Sequence, residues 1–74
     1  MKKKFKAIIF GGSGFLGSHL SELLYKKNFQ VTIYDIKKIN LRNKAIKFIK
    51  GSITNKKKVM RLTKGYDYVF NFAA

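Results

Sequence analysis

Cysteine and proline are both absent from this 74-residue sequence. The absence of cysteine excludes a disulfide scaffold, and the 46% content of hydrophobic residues excludes a compositionally disordered tail. The composition is that of part of a globular protein. Because a domain this short buries only about 60% of the surface that its unfolded chain exposes, we expect the chain alone to be marginally stable.

Long apolar runs are also missing. The opening "MKKKFKAIIFGG" begins like a secretory signal, but Lys6 and Gly11 confine the apolar run to residues 7–10, and a signal needs about 7–15 such residues. No window approaches the ~20 apolar residues of a membrane-spanning helix. We therefore expect a cytoplasmic protein with no membrane partner.

Acidic residues are scarce: 17 lysines and arginines face three aspartates and glutamates, for a net charge of +14. Such an excess is typical of proteins that bind nucleic acids, anionic membranes or anionic ligands. Fifteen of the cations are lysines scattered in short clusters, whereas phosphate and base recognition favours arginine. We expect a solvated surface with a general attraction for anionic substrates and no nucleic-acid partner; a small basic nucleic-acid-binding module is an alternative.

The apolar pattern alternates between strand and helix. Strands are predicted at residues 5–10, 30–35, 46–49 and 66–72. A first helix carries Leu16, Leu20, Leu23 and Leu24 as one apolar stripe and ends at residues 26–28. A second runs from residue 55 to 64, with Val59, Met60 and Leu62 as its apolar members. The order strand, helix, strand, strand, helix, strand predicts an α/β fold with a mainly parallel sheet.

The stretch "GGSGFLGSHL" places glycines directly between the first strand and the first helix. Gly11, Gly14 and Gly17 fit G-x-x-G-x-x-G, and Gly12 with the last two fits G-x-G-x-x-G. Bare backbone at a helix N-terminus lets the pyrophosphate of a dinucleotide approach the N–H groups. This context favours dinucleotide binding over a purely structural turn. No Gly-Lys-Ser or Gly-Lys-Thr follows, which excludes a Walker loop.

Asp35 ends the second predicted strand, 18 positions beyond Gly17. A carboxylate there accepts hydrogen bonds from the ribose hydroxyls of NAD and repels the 2′-phosphate of NADP. Lys37 and Lys38 reduce that repulsion. The sequence thus predicts NAD, with NADP less favoured; the alternative role for Asp35 is that of a surface turn carboxylate.

Four ordered stretches, "GGSGFLGSHL", "YDI", "KGSIT" and "GYDYVFNFAA", make nearly the whole chain resemble the extended short-chain dehydrogenase/reductase family. The resemblance is to its NAD-dependent epimerase/dehydratase group, which acts on nucleotide sugars. It implies a partial Rossmann-type, doubly wound parallel sheet, with residues 1–74 as the N-terminal part of one NAD(P)-binding domain. The full-length protein is then expected to be a homodimeric enzyme of hydride chemistry with a nucleotide-sugar substrate.

The resemblance also implies which residues bind the cofactor. The pyrophosphate would lie on Gly11, Gly14 and Gly17 and on the backbone of Phe15 and Leu16; Asp35 would bind the adenosine ribose, Ser52 and Ile53 would flank the adenine, and Ala73 and Ala74 would begin the wall beside the phosphates and the nicotinamide ribose. Three positions depart from the family pattern: Ser52 and Asn55 stand where Asp is usual, and Asn71 where His is usual.

Catalytic residues are not expected in this chain. The family's chemistry needs a Tyr-x-x-x-Lys pair on a later helix, in which Lys lowers the pKa of the Tyr that exchanges a proton with substrate. Tyr34 and Lys38 have that spacing, but Tyr34 falls on a strand next to Asp35, where we expect its ring to pack or to meet the adenosine. The chain alone is therefore expected not to turn over, and a non-catalytic NAD(P)-binding regulatory relative is an alternative. The single histidine, His19, indicates no metal site.

Overall fold

A computed structural model describes residues 4–11, 13–37, 41 and 43–73. Its elements, in chain order, are β1 (Lys6–Phe10), α1 (Phe15–Lys26), β2 (Gln30–Asp35), β3 (Lys47–Lys50), α2 (Lys56–Thr63) and β4 (Tyr68–Asn71). This order confirms the predicted succession of strands and helices, and the observed bounds lie within about two residues of the predicted ones.

The four strands form one sheet in the order β3-β2-β1-β4. All three pairings are parallel, and in their register Ile8 of β1 lies between Thr32 of β2 and Val69 of β4. The chain builds outward from β1 to β3 and then crosses back to place β4 on the other side of β1. This is the predicted doubly wound parallel sheet.

The two helices cover opposite faces of the sheet. On one face, Ala7 and Ile9 of β1 and Ile33 of β2 form a buried cluster with Leu24 of α1. On the other, Ile8, Phe10 and Tyr34 pack with Val59 and Leu62 of α2. Because successive strand residues point to opposite faces, β1 and β2 are buried at nearly every position, as expected of strands covered on both sides.

The predicted leucine stripe of α1 is wrong in its orientation. The buried residues of α1 are Gly17, Ser21 and Leu24, whereas Leu16 is 67% and Leu23 is 51% exposed. Small residues at i and i+4 let the helix backbone approach the sheet closely, so the buried face is rotated away from two of the four leucines. The Ser21 hydroxyl is satisfied at 2.7 Å by the carbonyl oxygen of Ser18.

Local signals at the helix ends agree with the structure. Asn28 adopts a left-handed φ of 70° just after α1, which is the exit conformation that asparagine tolerates. The Asn55 side chain accepts a hydrogen bond from the Lys58 N–H at 3.2 Å and caps α2.

The apolar face of α2 differs from the prediction at one position. Met60 is 64% exposed, whereas Val59 and Leu62 contact the sheet. Within the described ranges, neither helix has the length and apolar character needed to cross a bilayer.

Replacement of Ile33 tests the placement of the core. This side chain is fully buried on β2, so Ile33→Ala is expected to lower the free energy of unfolding by about 2–5 kcal/mol. Ile36→Ala is the control, because Ile36 is 66% exposed and its truncation should change stability by less than about 0.5 kcal/mol. Urea unfolding followed by circular dichroism measures both; equal effects would contradict the assigned burial.

Candidate functional site

A cleft of about 550 Å³ lies at the edge of the sheet where the four parallel strands end. It is lined by residues that follow each strand: Gly11, Ser13 and Gly14 after β1; Tyr34, Asp35, Ile36 and Lys37 at the end of β2; Gly51, Ser52 and Ile53 after β3; and Phe72 and Ala73 after β4. Because the strand order reverses at β1, this edge is a topological switch point, where open α/β sheets bind their ligands.

Gly11 makes the tight turn out of β1. Its φ is +78°, and its N–H donates to the Tyr34 carbonyl oxygen at 2.9 Å. A Cβ added at this position would lie 2.6 Å from the backbone nitrogen of Ala73, which no side chain tolerates. Glycine is therefore required here both by the backbone conformation and by the close passage of the segment after β4.

Gly14 leaves open space at the N-terminus of α1. It is the N-cap residue, in an extended conformation and with no side-chain cap. A Cβ added here would meet only the carbonyl oxygen of Gly11, at 3.9 Å, so no described protein atom crowds the space. The first N–H groups of a helix have no intrahelical acceptor, and those of Phe15 and Leu16 belong to this turn. The geometry fits an anionic group such as a pyrophosphate.

Two further residues of the glycine-rich segment, Phe15 and Gly17, make packing contacts. Gly17 is buried against the sheet, in keeping with a glycine that permits close contact between helix and strand. The Phe15 side chain is 76% exposed, and its ring packs edge-on against His19 with centroids 4.6 Å apart. No cluster of three or more potential metal-ligating side chains occurs in the described part of the chain.

Asp35 is held at the cleft by donors from two segments. Its Oδ2 accepts hydrogen bonds from the Ser13 N–H at 3.1 Å and the Ser13 hydroxyl at 2.5 Å, and its Oδ1 accepts one from the Lys37 N–H at 3.0 Å. Partial burial raises the pKa of the carboxyl, but these bonds, with one from the Ile36 N–H, lower it by more, so that the net pKa lies below its usual value of 3.8. The ionised carboxylate thus stabilises the fold at neutral pH, a contribution lost as the pH falls through the lowered pKa.

The loop after β3 forms the opposite wall of the cleft and is anchored by Tyr34. This tyrosine is fully buried, packs edge-on against Phe10 with ring centroids 5.2 Å apart, and donates a hydrogen bond to the Ser52 carbonyl oxygen at 2.8 Å. A Cβ added at Gly51 would overlap the Tyr34 ring. The structure therefore makes Tyr34 a core residue, as expected from its place on a strand; Lys38, its spacing partner, lies outside the described residues.

The side chains proposed to flank the adenine lie on this loop. Ile53 is 42% exposed and lines the cleft. The Ser52 hydroxyl accepts a hydrogen bond from the Thr54 N–H at 3.1 Å and lies 2.7 Å from the Thr54 hydroxyl. It therefore shapes the turn as well as lining the cleft.

The segment after β4 closes the cleft. Ala73 donates its N–H to the Asn71 side-chain oxygen at 3.0 Å, so Asn71, the residue that departs from the usual His, caps the strand end. The structure thus brings together, at one edge, the predicted Gly11, Gly14, Asp35, Ser52, Ile53 and Ala73. Phe15, Leu16 and Gly17 lie on the adjoining helix. Gly12 and Ala74 lie outside the described residues.

Sequence reasoning did not predict two hydrogen bonds at the cleft, that of Ser13 to Asp35 and that of Tyr34 to Ser52. Ser13 occupies a variable position of the glycine pattern, and nothing in the sequence pairs it with a residue 22 positions away. Tyr34 was expected to pack or to meet the adenosine, but its bond to Ser52 depends on the separation of β2 and β3, which the sequence does not reveal. Gly51, two residues after the third predicted strand, was a signal for the close approach that the structure shows.

Removal of the Tyr34 hydroxyl tests the anchor of the loop. Tyr34→Phe keeps the ring but leaves the Ser52 carbonyl without its donor, so the free energy of unfolding should fall by about 1–2 kcal/mol and amide exchange should accelerate in residues 51–54. Tyr25→Phe, on the exposed side of α1, should change neither. Hydrogen exchange measured by NMR locates the effect; unchanged protection in residues 51–54 would show that the anchor is absent in solution.

Comparison with known proteins supports the interpretation of this geometry. The model of the NAD dependent epimerase/dehydratase family matches residues 7–74. A UDP-N-acetyl-alpha-D-glucosaminuronate decarboxylase from Bacillus cytotoxicus is 39% identical over 80 aligned residues, which cover 100% of this chain and 24% of the relative. The decarboxylating sterol-4-alpha-carboxylate 3-dehydrogenase of Mus musculus is 32% identical over 74 residues, covering 100% of this chain and 20% of the relative.

Solved structures of two further proteins have the same fold as this chain over nearly its whole length. An epimerase from Methanothermobacter thermautotrophicus superposes with a TM-score of 0.80 at 31% identity, covering 97% of this chain and 23% of the other. The Bordetella bronchiseptica enzyme WbmH in complex with NAD+ superposes with a TM-score of 0.81 at 29% identity, covering 97% and 27%. The chain spans about a quarter or less of the length of most of these proteins. With its glycine turn, its doubly wound sheet and a family match over nearly its whole length, the chain belongs to the NAD-dependent epimerase/dehydratase family.

Proposed function

We propose that residues 1–74 form the first part of one Rossmann domain that binds NAD in the cleft at the strand ends, within an epimerase or dehydratase acting on a nucleotide sugar. The observation that carries the proposal is the pairing of an open glycine turn with a fixed, ionised carboxylate across the same cleft. The first suits a pyrophosphate and the second a ribose with free hydroxyls.

Each part of NAD is assigned to residues that line or adjoin the cleft. The N–H groups of Phe15 and Leu16, beside Gly14, bind the pyrophosphate, and Asp35 accepts the hydrogen bonds of the adenosine ribose. Ile53 packs against the adenine, Ser52 offers it a hydroxyl, and Ala73 borders the phosphates. When bound, NAD supplies the nicotinamide that takes up and returns a hydride; the chain's own residues bind and orient its adenosine half.

The nucleotide-sugar class is supported by the relatives. The UDP-N-acetyl-alpha-D-glucosaminuronate decarboxylase has the higher identity of the two curated relatives described, 39% against 32%. A UDP-glucose 4-epimerase from Brucella ovis in complex with NAD also superposes over 95% of this chain with a TM-score of 0.78 at 26% identity. Lys37, which lines the cleft, and the net charge of +14 favour the approach of such polyanionic molecules.

Calorimetric titration with NAD and NADP tests the cofactor proposal. The folded chain should prefer NAD. Asp35→Ala should weaken NAD binding by about tenfold and abolish the preference, because the ribose loses a charged acceptor and a 2′-phosphate loses its repulsion. Asp67→Ala is the matched control, since that carboxylate accepts its hydrogen bond from the Lys6 N–H, at the opposite end of the sheet. Failure of the folded native chain to bind either cofactor would reject the proposal.

The open space at Gly14 gives a second prediction. Gly14→Ala should leave the fold intact, because the new methyl group meets only one backbone oxygen at 3.9 Å, yet weaken NAD binding at least tenfold by occupying the approach to the helix N-terminus. Gly65→Ala, whose Cβ would lie 3.6 Å from the Leu62 carbonyl oxygen near the end of α2, should bind NAD normally. Calorimetry with both variants measures this; equal affinities would place the pyrophosphate elsewhere.

A further inference from the structure

Ser13 donates two hydrogen bonds to a single carboxylate oxygen of Asp35. Its backbone N–H lies 3.1 Å and its hydroxyl oxygen 2.5 Å from Oδ2. The two residues are 22 positions apart and belong to different strand ends, one after β1 and the other closing β2. The short hydroxyl contact is a charge-assisted hydrogen bond, which is roughly twice as strong as a neutral one.

The second carboxylate oxygen is also occupied. Oδ1 accepts the Lys37 N–H at 3.0 Å, so the carboxylate is held from the glycine turn on one side and from its own strand end on the other. Turning the side chain out of the cleft would break bonds at both oxygens. The Ser13 hydroxyl supplies the shortest of the measured contacts and is the only one of these three donors that belongs to a side chain.

A fixed carboxylate discriminates between two forms of an adenosine ribose. A carboxylate oxygen has two acceptor sites, so a free ribose hydroxyl can donate to the capacity that remains on Oδ1 while Ser13 continues to hold Oδ2. A 2′-phosphate brings about two negative charges to the same place, and like charges in contact repel each other strongly near a protein surface, where the effective dielectric is well below that of water. The repulsion decreases if the Asp35 carboxylate turns out of the cleft. The 2′-phosphate can then interact with Lys37, which follows β2.

From this geometry we propose that Ser13 is the positioning residue that sets cofactor selectivity: by holding the Asp35 carboxylate in the cleft, its hydroxyl determines how strongly a 2′-phosphorylated adenosine is rejected. The inference rests on the proposed function, since it assumes that the adenosine ribose binds beside Asp35. It assigns the selectivity to a pair of residues, one in the glycine turn and one on β2, in place of the acidic residue alone.

The test compares 5′-AMP with adenosine 2′,5′-bisphosphate, which differ only in the 2′-phosphate, by calorimetry on the 74-residue chain. In Ser13→Ala the preference for 5′-AMP should shrink by about fivefold or more, mainly through tighter binding of the bisphosphate. Ser13→Thr, which keeps a hydroxyl, should retain the preference. Ser18→Ala is the matched control, because its hydroxyl donates only to the Phe15 carbonyl oxygen, at 3.0 Å.

A double-variant cycle separates positioning from a general structural effect. If Ser13 acts through Asp35, Ser13→Ala should not alter the ligand preference of a chain that already carries Asp35→Ala. NMR titration of the Asp35 carboxyl provides a readout without ligand: loss of the hydroxyl donor should raise its pKa toward the usual value. Circular dichroism confirms that each variant is folded.

The outcomes are distinguishable. An unchanged preference in folded Ser13→Ala, while Asp35→Ala abolishes it, overturns the role of Ser13 and leaves the cofactor site in place. An unaltered Asp35 titration in Ser13→Ala overturns it independently, since the hydrogen bond would then be absent in solution. If the folded native chain binds neither nucleotide, the proposed function fails and this inference fails with it.

Discussion

Parallel pairing of all four strands is the constraint on which the rest of this structure depends. Since β1 hydrogen-bonds β2 on one side and β4 on the other in the same direction, every strand must end at the same edge. Each return connection must then cross a face of the sheet. The helices α1 and α2 cover opposite faces, so β1 is buried on both of its sides. The cleft is a consequence of this pairing, because four loops leave four strand ends side by side.

Close backbone approach completes the site, and it explains why the glycines are placed where they are. Gly11 and Gly51 lie directly after β1 and β3, and each lacks room for a side chain, against Ala73 in one case and Tyr34 in the other. Gly14 differs, because space is left free beside it. The same residue type thus serves two purposes along one cleft: Gly11 and Gly51 permit close backbone and side-chain packing, whereas Gly14 leaves open the space in which we propose that the pyrophosphate binds.

The fold was predictable from the sequence because its signals are local. Apolar runs of four to six residues, an asparagine at one end of each helix and a glycine after β1 and β3 are sufficient to predict the element order and a parallel sheet. Among the site residues, Gly11, Gly14 and Asp35 were predictable from their spacing. The bonds of Ser13 to Asp35 and of Tyr34 to Ser52 were not, because they join side chains to distant segments and depend on distances between strands. The buried face of α1 was predicted wrongly because hydrophobicity favoured the leucines, whereas close helix packing selected Gly17 and Ser21.

The overlap between a side chain at position 51 and the Tyr34 ring has an evolutionary consequence. Tyr34 packs against Phe10 on one side and donates a hydrogen bond to the loop that it anchors, so a side chain at position 51 would displace the ring from these contacts. A related protein that carries a larger residue at position 51 is therefore expected to carry a smaller one at position 34, and such a protein also loses the hydroxyl that holds the loop. These two positions are therefore constrained to change together, and related chains should fall into two groups: glycine facing a large aromatic residue, or a bulkier loop residue facing a small one.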